Sequence, residues 1–231
     1  MTRTRKDPLP GEAAAERHYV QFYEDDSALV AQIGRAMCVA LDQGHAAICI
    51  ATQSHRQLLE KQLQERGNDL SVARAVEQYV HLDAAQTISR IIVDGKPDTV
   101  RFAEVVGSLV DRLCARHTRV WMFGEMVSLL CADGNQAGAL ALEKLWTSFI
   151  ASQPVCLYCA YPTQLFSSDD VRAFEQICDE HCRVLHSDSS LALANGKENG
   201  KDSMDSKRAL AARTLPGRVS VEPVKRSRSG D

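Results

Sequence analysis

Short apolar segments alternate with amphipathic segments between residues 18 and 186. Five apolar segments have the length and composition of strands, namely HYVQFY, AAICIA, YVHL, RVWMF and VCLYCA. AAICIA is apolar at every position, which is typical of a strand that is covered on both faces of a parallel sheet. A short RVL segment follows residue 182 and is a candidate sixth strand at one edge.

The segments between the strands carry helical periodicity. After the first strand, Val30, Ile33, Met37 and Leu41 repeat at three- and four-residue spacing, which predicts a helix that ends at Gly44. A capping box at Ser54 and Gln57 predicts the start of the next helix, which Gly67 ends. Ser167 and Asp170 are predicted to cap a last helix that runs to about His181. Further helices are predicted near 84–93 and 99–116, between residues 124 and 134, and through Leu140, Leu145, Trp146 and Phe149.

The connections between the strands are a dozen residues or more. Tight hairpins cannot join strands over such distances, so neighbouring strands must mostly run parallel. The predicted fold class is therefore α/β, with a mostly parallel central sheet of five or six strands and helices on both faces.

Composition narrows the protein class. The chain has 231 residues, enough for one α/β domain, and we expect residues 1–16 and 188–231 to be disordered because they are poor in core-forming side chains. A net charge of −3 and an isoelectric point near 6.2 predict no nucleic acid or membrane partner. No leader or membrane-spanning segment is recognisable, so we expect a cytoplasmic protein whose eight cysteines are reduced.

Polar side chains follow the predicted strands. In open parallel sheets ligands bind beyond the carboxyl ends of the strands. The residues expected at this edge are Tyr23, Glu24, Asp25, Thr52, Gln53, Ser54, Asp83, Gly124, Glu125 and Tyr161. Glu125 either contacts a ligand or satisfies a helix N-terminus. Cys159, which closes the fifth strand, is either a ligand or redox contact or an inert core residue.

Histidine and cysteine spacing predicts no metal site. Cys156 and Cys159 lie in one strand, where a spacing of three residues points them to opposite faces. Cys178 and Cys182 lie one helical turn apart beside His181, but two further ligands at suitable spacing are missing. His18 begins the first strand, at the end of the sheet where His181 is expected. These histidines form either a second polar cluster or two separate structural contacts.

Nucleotide hydrolysis by the usual route is not expected, because the chain contains no G-x-x-x-x-G-K-[ST] phosphate-binding loop. The turn after the first strand reads EDDSAL, and its carboxylates would repel a triphosphate. The glycine fingerprint of dinucleotide-binding proteins, the G-x-S-x-G elbow and the H-E-x-x-H helix are also missing.

The chain resembles the MEDS domain, a sensory module named for methanogens, methylotrophs and the DcmR regulator. The resemblance covers about residues 17 to 187 and rests on segments that occur in the family's order: HYVQFYEDD, GHAAICIATQSHRQLL with ERGND, LDAAQT, DGKPD with RF, FGEMVSLLCADGN, LALEKLW, CLYCAYP and ICDEHCRVL. It implies a RecA/KaiC-like domain without a phosphate loop. Cys131, where the family often has Trp, and Cys182, where a small polar residue is usual, depart from the pattern.

The resemblance implies a non-catalytic sensory domain that binds a small molecule, such as a hydrocarbon derivative, without a cofactor. Its implied ligand contacts are His18, Tyr23, Glu125, Cys159, Tyr161 and His181. No output domain is expected in this chain, so the signal would pass to a partner protein, namely a histidine kinase, an anti-sigma protein or a transcription regulator. Two alternatives remain: an interaction module without a ligand, and a degenerate nucleotide-binding or thiol-based enzyme.

Overall fold

The structure is a computed structural model that describes residues 17–166 and 170–185. The disorder predicted for residues 1–16 and 188–231, and the cap predicted at Ser167, lie outside these residues. Helices and strands alternate in the order β1 (His18–Tyr23), α1 (Asp26–Asp42), β2 (Ala46–Ala51), α2 (Gln53–Glu65), α3 (Leu70–Ala75), β3 (Tyr79–Asp83), α4 (Ala84–Ile91), β4 (Ile92–Val93), β5 (Lys96–Pro97), α5 (Thr99–Phe102), α6 (Ser108–Cys114), β6 (Val120–Gly124), α7 (Met126–Ala132), α8 (Gln136–Ala151), β7 (Val155–Pro162), α9 (Val171–Glu180) and β8 (Arg183–Leu185).

The central sheet has six strands in the order β3-β2-β6-β7-β1-β8, and every neighbouring pair is parallel. The predicted α/β fold with a parallel sheet is therefore confirmed. The RVL segment forms the edge strand β8, which pairs with β1. The RecA/KaiC-like arrangement stays a prediction.

Each face of the sheet carries its own apolar core. Alternate residues of a strand point to opposite faces, so Val20 and Phe22 of β1 enter one core while Tyr19 and Tyr23 enter the other. The large core lies under α4 to α9, and the small core lies under α1 to α3. Helices therefore cover both faces, as the sequence predicts.

Capping side chains set where the helices begin. Asp25 accepts a hydrogen bond from the Ser27 backbone N–H at 2.7 Å and begins α1. The capping box predicted at Ser54 is wrong, because Thr52 caps α2 instead and accepts a hydrogen bond from the His55 N–H at 3.4 Å. β2 ends at Ala51, so the helix must start directly after a one-residue turn.

A short antiparallel hairpin follows α4. The predicted helix ends at Ile91, and β4 and β5 pair across a turn in which Asp94 and Gly95 have φ values of 49° and 76°. The Asn135 side-chain amide donates to the Gly95 carbonyl at 2.8 Å, and its Oδ1 accepts from the Gly138 N–H at 2.9 Å. These bonds fasten the hairpin to the first turn of α8.

The predicted long helix after the hairpin is present over α5 and α6, with a π-helical segment at Ala103–Gly107 between them. None of the helices in the described residues is long and apolar enough to cross a membrane.

The contact between the hairpin and α8 leaves no room for a side chain at Gly138. A Cβ at this position would lie 2.5 Å from the Gly95 carbonyl oxygen. We expect Gly138→Ala to lower the free energy of unfolding by about 1–3 kcal/mol, as measured by urea denaturation. Gly107→Ala is the control, because its Cβ would meet its nearest neighbour at 3.7 Å and should leave stability equal or higher. Equal effects of the two substitutions would contradict the close approach.

Candidate functional site

A carboxylate lies inside the large core. The Glu143 side chain of α8 is completely buried, with 0% of its surface exposed. Its Oε1 accepts a hydrogen bond from the Tyr161 hydroxyl at 2.6 Å, and its Oε2 accepts one from the Cys159 thiol at 3.4 Å. Burying a charge is costly unless polar partners surround it, so these contacts decide whether the core can hold this residue.

Two imidazoles complete the surroundings of Glu143. His18 Nε2 lies 3.3 Å from Oε2, and His181 Nε2 lies 3.5 Å from the same oxygen. The two rings face each other with their centroids 3.9 Å apart. We call Glu143, His18, Cys159, Tyr161 and His181 the buried cluster.

Strand register explains why residues so far apart in the chain meet. β1 and β7 are parallel neighbours, with Val20 opposite Cys159. His18 is two residues before Val20 in β1 and therefore lies on the same face of the sheet as Cys159. The pairing of β8 with β1 brings the end of α9 to the start of β1, where the Cys182 N–H donates to the His18 carbonyl at 2.9 Å. His181, which precedes Cys182, thereby reaches His18.

Burial shapes the ionisation of the cluster. Burial alone would raise the pKa of Glu143, but the adjacent imidazoles and the Tyr161 hydroxyl lower this pKa to about 2. Burial, together with repulsion from His18, lowers the pKa of His181 to about 4. Burial and the nearby Glu143 charge raise the pKa of both the Cys159 thiol and the Tyr161 hydroxyl well above their ordinary values. At neutral pH the cluster therefore contains a carboxylate beside a protonated thiol and phenol.

A cavity of about 270 Å³ opens between α7, α8 and α9, next to the buried cluster. Its lining is mostly apolar and consists of Cys131, Gln136, Ala137, Leu140, Phe166, Ala173, Gln176 and Ile177. The Phe166 ring lies 5.8 Å from the Tyr161 ring, and the Ile177 carbonyl contacts His181 Nδ1 at 2.7 Å. The cavity wall and the cluster are therefore in direct contact.

A second polar group lies at the carboxyl ends of the strands. Glu125 precedes α7, and its side chain makes no capping hydrogen bond with that helix. Its Oε2 instead accepts from the Thr52 N–H at 2.8 Å, and its Oε1 contacts His55 Nδ1. His55 Nε2 lies 3.4 Å from Asp26, and the Tyr23 ring packs edge-on against His55 with centroids 6.1 Å apart. We call these residues the strand-end group.

Burial and neighbouring carboxylates shift the pKa values of His55 and Tyr23 in the strand-end group. The hydrogen bond with Glu125 raises the pKa of His55 above its ordinary value, although burial opposes this shift. Burial, and then the charges of Glu125 and Asp26, raise the pKa of Tyr23. The alternative that Glu125 merely caps α7 does not describe its contacts, because the carboxylate binds the turn between β2 and α2.

The predicted ligand contacts fall into both groups. Tyr23 and Glu125 belong to the strand-end group, whereas His18, Cys159, Tyr161 and His181 belong to the buried cluster. The side chains of Glu125 and Cys159 therefore contact different partners. Of the alternatives for the histidines, the structure shows a polar cluster. A ligand role for any of the six residues stays a prediction.

Glu143 and His55 were missed by the sequence interpretation. Glu143 had one signal, because it lies three residues before Trp146 and thus on the apolar face of a predicted helix. His55 follows the second strand closely but gave no signal of its own. The expected placement of Cys156 and Cys159 on opposite faces is confirmed, since they lie in different cores.

Comparison with known proteins gives one family match. The family model described as MEDS, MEthanogen/methylotroph, DcmR Sensory domain, matches residues 17–177. No curated protein matches. A solved structure from a structural study of a Pyrococcus horikoshii OT3 protein is 8% identical, covers 75% of this chain and 83% of its own, and superposes with a TM-score of 0.48.

Removing the Tyr161 hydroxyl tests how much the buried cluster depends on hydrogen bonding. We expect Tyr161→Phe to lower the free energy of unfolding by about 1–3 kcal/mol, because it leaves a buried carboxylate oxygen without its donor. Tyr158→Phe is the matched control on the other face of β7, since the Tyr158 hydroxyl is buried without a hydrogen-bond partner in the described residues. Urea denaturation of both variants measures the difference, and a larger loss in Tyr158→Phe would contradict the assignment.

The strand-end group predicts a pH dependence. The pKa of His55 is higher in the folded than in the unfolded state, so protonation of His55 stabilises the fold below about pH 6.5. This stabilisation is lost as the pH rises through the pKa of the folded state. We expect His55→Gln to flatten the decline of stability above about pH 6.5, measured by denaturation at several pH values. His81→Gln, in a more exposed pair with Glu60, is the control and should keep the wild-type slope. An unchanged slope in His55→Gln would disprove the linkage.

Proposed function

We propose that this chain, which belongs to the MEDS family of sensory domains, binds a small molecule in the cavity beside the buried cluster and signals through a partner protein. The observation that carries the proposal is an apolar cavity whose wall contacts Tyr161 and His181, two polar partners of a buried carboxylate. Ligand sites typically combine such an apolar lining with a few fixed polar groups.

The size and lining of the cavity limit the ligand. A volume of about 270 Å³ lies just below the usual range of sites for drug-sized molecules. Among the described residues, its lining contains the side-chain amides of Gln136 and Gln176 and no charged side chain. These properties favour a neutral hydrocarbon derivative of a few carbon atoms, such as a haloalkane or an alcohol, over a nucleotide.

The chemistry of the buried cluster supports a non-catalytic role. A thiolate, not a thiol, is the nucleophile in cysteine catalysis, and burial raises the pKa of Cys159. Tyr161 is likewise held in its protonated form and donates to Glu143. These groups are suited to fixed hydrogen bonding rather than to covalent chemistry, which weighs against the thiol-based enzyme.

Signalling requires that the ligand prefer one conformation. The cavity is lined by residues of α8 and α9, and α9 leads through His181 into the edge strand β8. A ligand between these helices would favour the arrangement in which they are held apart. We propose that a kinase, an anti-sigma protein or a transcription regulator recognises this arrangement.

Ligand binding should raise thermal stability. In a panel of short hydrocarbons, haloalkanes, alcohols and nucleotides, we expect a haloalkane or alcohol at a hundred times its dissociation constant to add about 2.7 kcal/mol. Ala173→Phe fills the cavity and should abolish this response. Ala75→Phe is the control, because Ala75 is exposed on α3, which covers the other face of the sheet. This variant should keep the stabilisation by the ligand.

Three outcomes oppose the proposal. A response that survives Ala173→Phe places the ligand elsewhere, for example at the strand-end group. Failure of every compound, together with a protein that copurifies stoichiometrically, favours the interaction module without a ligand. ATP turnover by the purified chain would favour the enzyme alternative.

A further inference from the structure

We propose that the buried cluster is a zinc site in which His18, Glu143, Cys159 and His181 each contribute one ligand atom. These four side chains are all buried, and their candidate ligand atoms lie within 4.8 Å of one another. The sequence predicts no metal site, because Cys156 and Cys159 point to opposite faces of one strand and Cys178 and Cys182 lack two further ligands at suitable spacing. The four residues of the cluster come from β1, α8, β7 and the turn after α9, so no local motif announces them.

The distances within the cluster fit tetrahedral coordination. Bonds of about 2.0–2.2 Å from zinc to nitrogen or oxygen, and of about 2.3 Å to sulfur, place neighbouring ligand atoms about 3.3–3.8 Å apart. Glu143 Oε2 lies 3.3 Å from His18 Nε2, 3.5 Å from His181 Nε2 and 3.4 Å from Cys159 Sγ. Cys159 Sγ lies 3.6 Å from His18 Nε2. Four of the six distances between ligand atoms are thus already those of a zinc tetrahedron, and the other two, from His181 to His18 and to Cys159, are within 4.8 Å.

Hydrogen bonding orients both imidazoles for metal binding. His18 Nδ1 contacts the Glu180 carbonyl at 3.0 Å, and His181 Nδ1 contacts the Ile177 carbonyl at 2.7 Å. A carbonyl only accepts, so each Nδ1 carries a proton, and Nε2, which faces the centre of the cluster, is the nitrogen available to a metal. Zinc-binding histidines are commonly held in this way by a carbonyl or carboxylate on the other nitrogen.

One buried nitrogen at the centre of the cluster lacks a hydrogen-bond partner. His181 Nε2 is buried and has no hydrogen-bond partner in the part of the chain that the structure describes. It lies 3.5 Å from Glu143 Oε2, which accepts a hydrogen bond from the Cys159 thiol. An unsatisfied buried nitrogen is unusual, and a cation at the centre would bind both His181 Nε2 and Glu143 Oε2.

Charge balance favours a divalent ion. When zinc binds, the Cys159 thiol proton leaves to solvent and a zinc–sulfur bond forms. The thiolate and the Glu143 carboxylate then neutralise the two positive charges, while both imidazoles stay neutral. The Tyr161 hydroxyl, which donates to Glu143 Oε1 at 2.6 Å, holds the carboxylate so that Oε2 faces the centre. Four protein ligands leave no open position, which is typical of a structural site.

The zinc site and the small-molecule site are separate proposals. The metal would join β1, β7, α8 and the α9–β8 turn behind the cavity wall, and it does not occupy the cavity. Metal binding can therefore be measured without any small molecule, and the ligand panel can be run on metal-free chain.

The test uses the full chain, stripped of metal with a chelator under denaturing conditions and refolded with Zn²⁺ or with Co²⁺. We expect one Zn²⁺ per chain by elemental analysis and a higher thermal midpoint than in metal-free chain. Co²⁺ should give intense tetrahedral ligand-field bands and a thiolate-to-cobalt charge-transfer band. Substoichiometric zinc, or a Co²⁺ spectrum without the thiolate band, would overturn the proposal and leave the cluster as an internal ion pair.

Single substitutions assign the ligands. Cys159→Ser should remove the charge-transfer band, whereas Cys156→Ser, on the same strand but in the other core, should retain it. Tyr161→Phe should keep the band but weaken zinc binding about tenfold to a hundredfold, since it removes only the outer hydrogen bond to Glu143. A band that survives Cys159→Ser places the metal on another cysteine and refutes the site. The wild-type spectrum decides the question if a variant does not fold.

Discussion

The burial of the Glu143 carboxylate is the constraint on which the rest of this side of the molecule depends. A charge without water must be matched by donors or cations from the protein, and here Tyr161, Cys159 and the two histidines surround it. These residues come from elements that are distant in the chain. The cluster therefore ties β1, β7, α8 and the end of α9 into one unit, and its geometry depends on all of them being folded.

The buried cluster and the strand-end group divide the polar chemistry between two environments. The strand-end group holds Glu125 against the turn after β2, and its Asp26, at the start of α1, stays largely exposed. Acidic side chains follow β1 at this edge, and their charge would repel a triphosphate. The buried cluster instead borders an apolar cavity. A sensory role for a small neutral molecule fits the second environment better than the first.

Metal and ligand would act on the same wall of the cavity. A zinc ion held by four protein atoms would fix the middle of α8 and the end of α9 against the sheet, whereas the outer part of the cavity is lined by Gln136, Ala137 and Ala173. A ligand that binds in the cavity would then move the helices at the outer wall, while the inner wall stays rigid. The core would not be disturbed, since packed interiors resist deformation.

The sequence alone determined the sheet, the helices and the family. Apolar segments such as AAICIA mark the strands, long crossovers make them parallel, and Gly44 and Gly67, with φ values of 80° and 96°, end helices where a left-handed residue is needed. These features depend on residues that are close in the chain. The ordered segments that resemble the MEDS domain likewise depend only on local sequence, and the family match confirms them.

Only the tertiary structure decided which polar side chains meet. His18 and Cys159 are 141 residues apart in the chain, and their contact follows from the parallel pairing of β1 with β7, which no local pattern reports. Glu143 belongs to the same centre because α8 packs across that face of the sheet, and Glu125 turns towards His55 because β6 lies beside β2. Strand order and register set these distances, and both arise from packing over the whole domain rather than from any single segment.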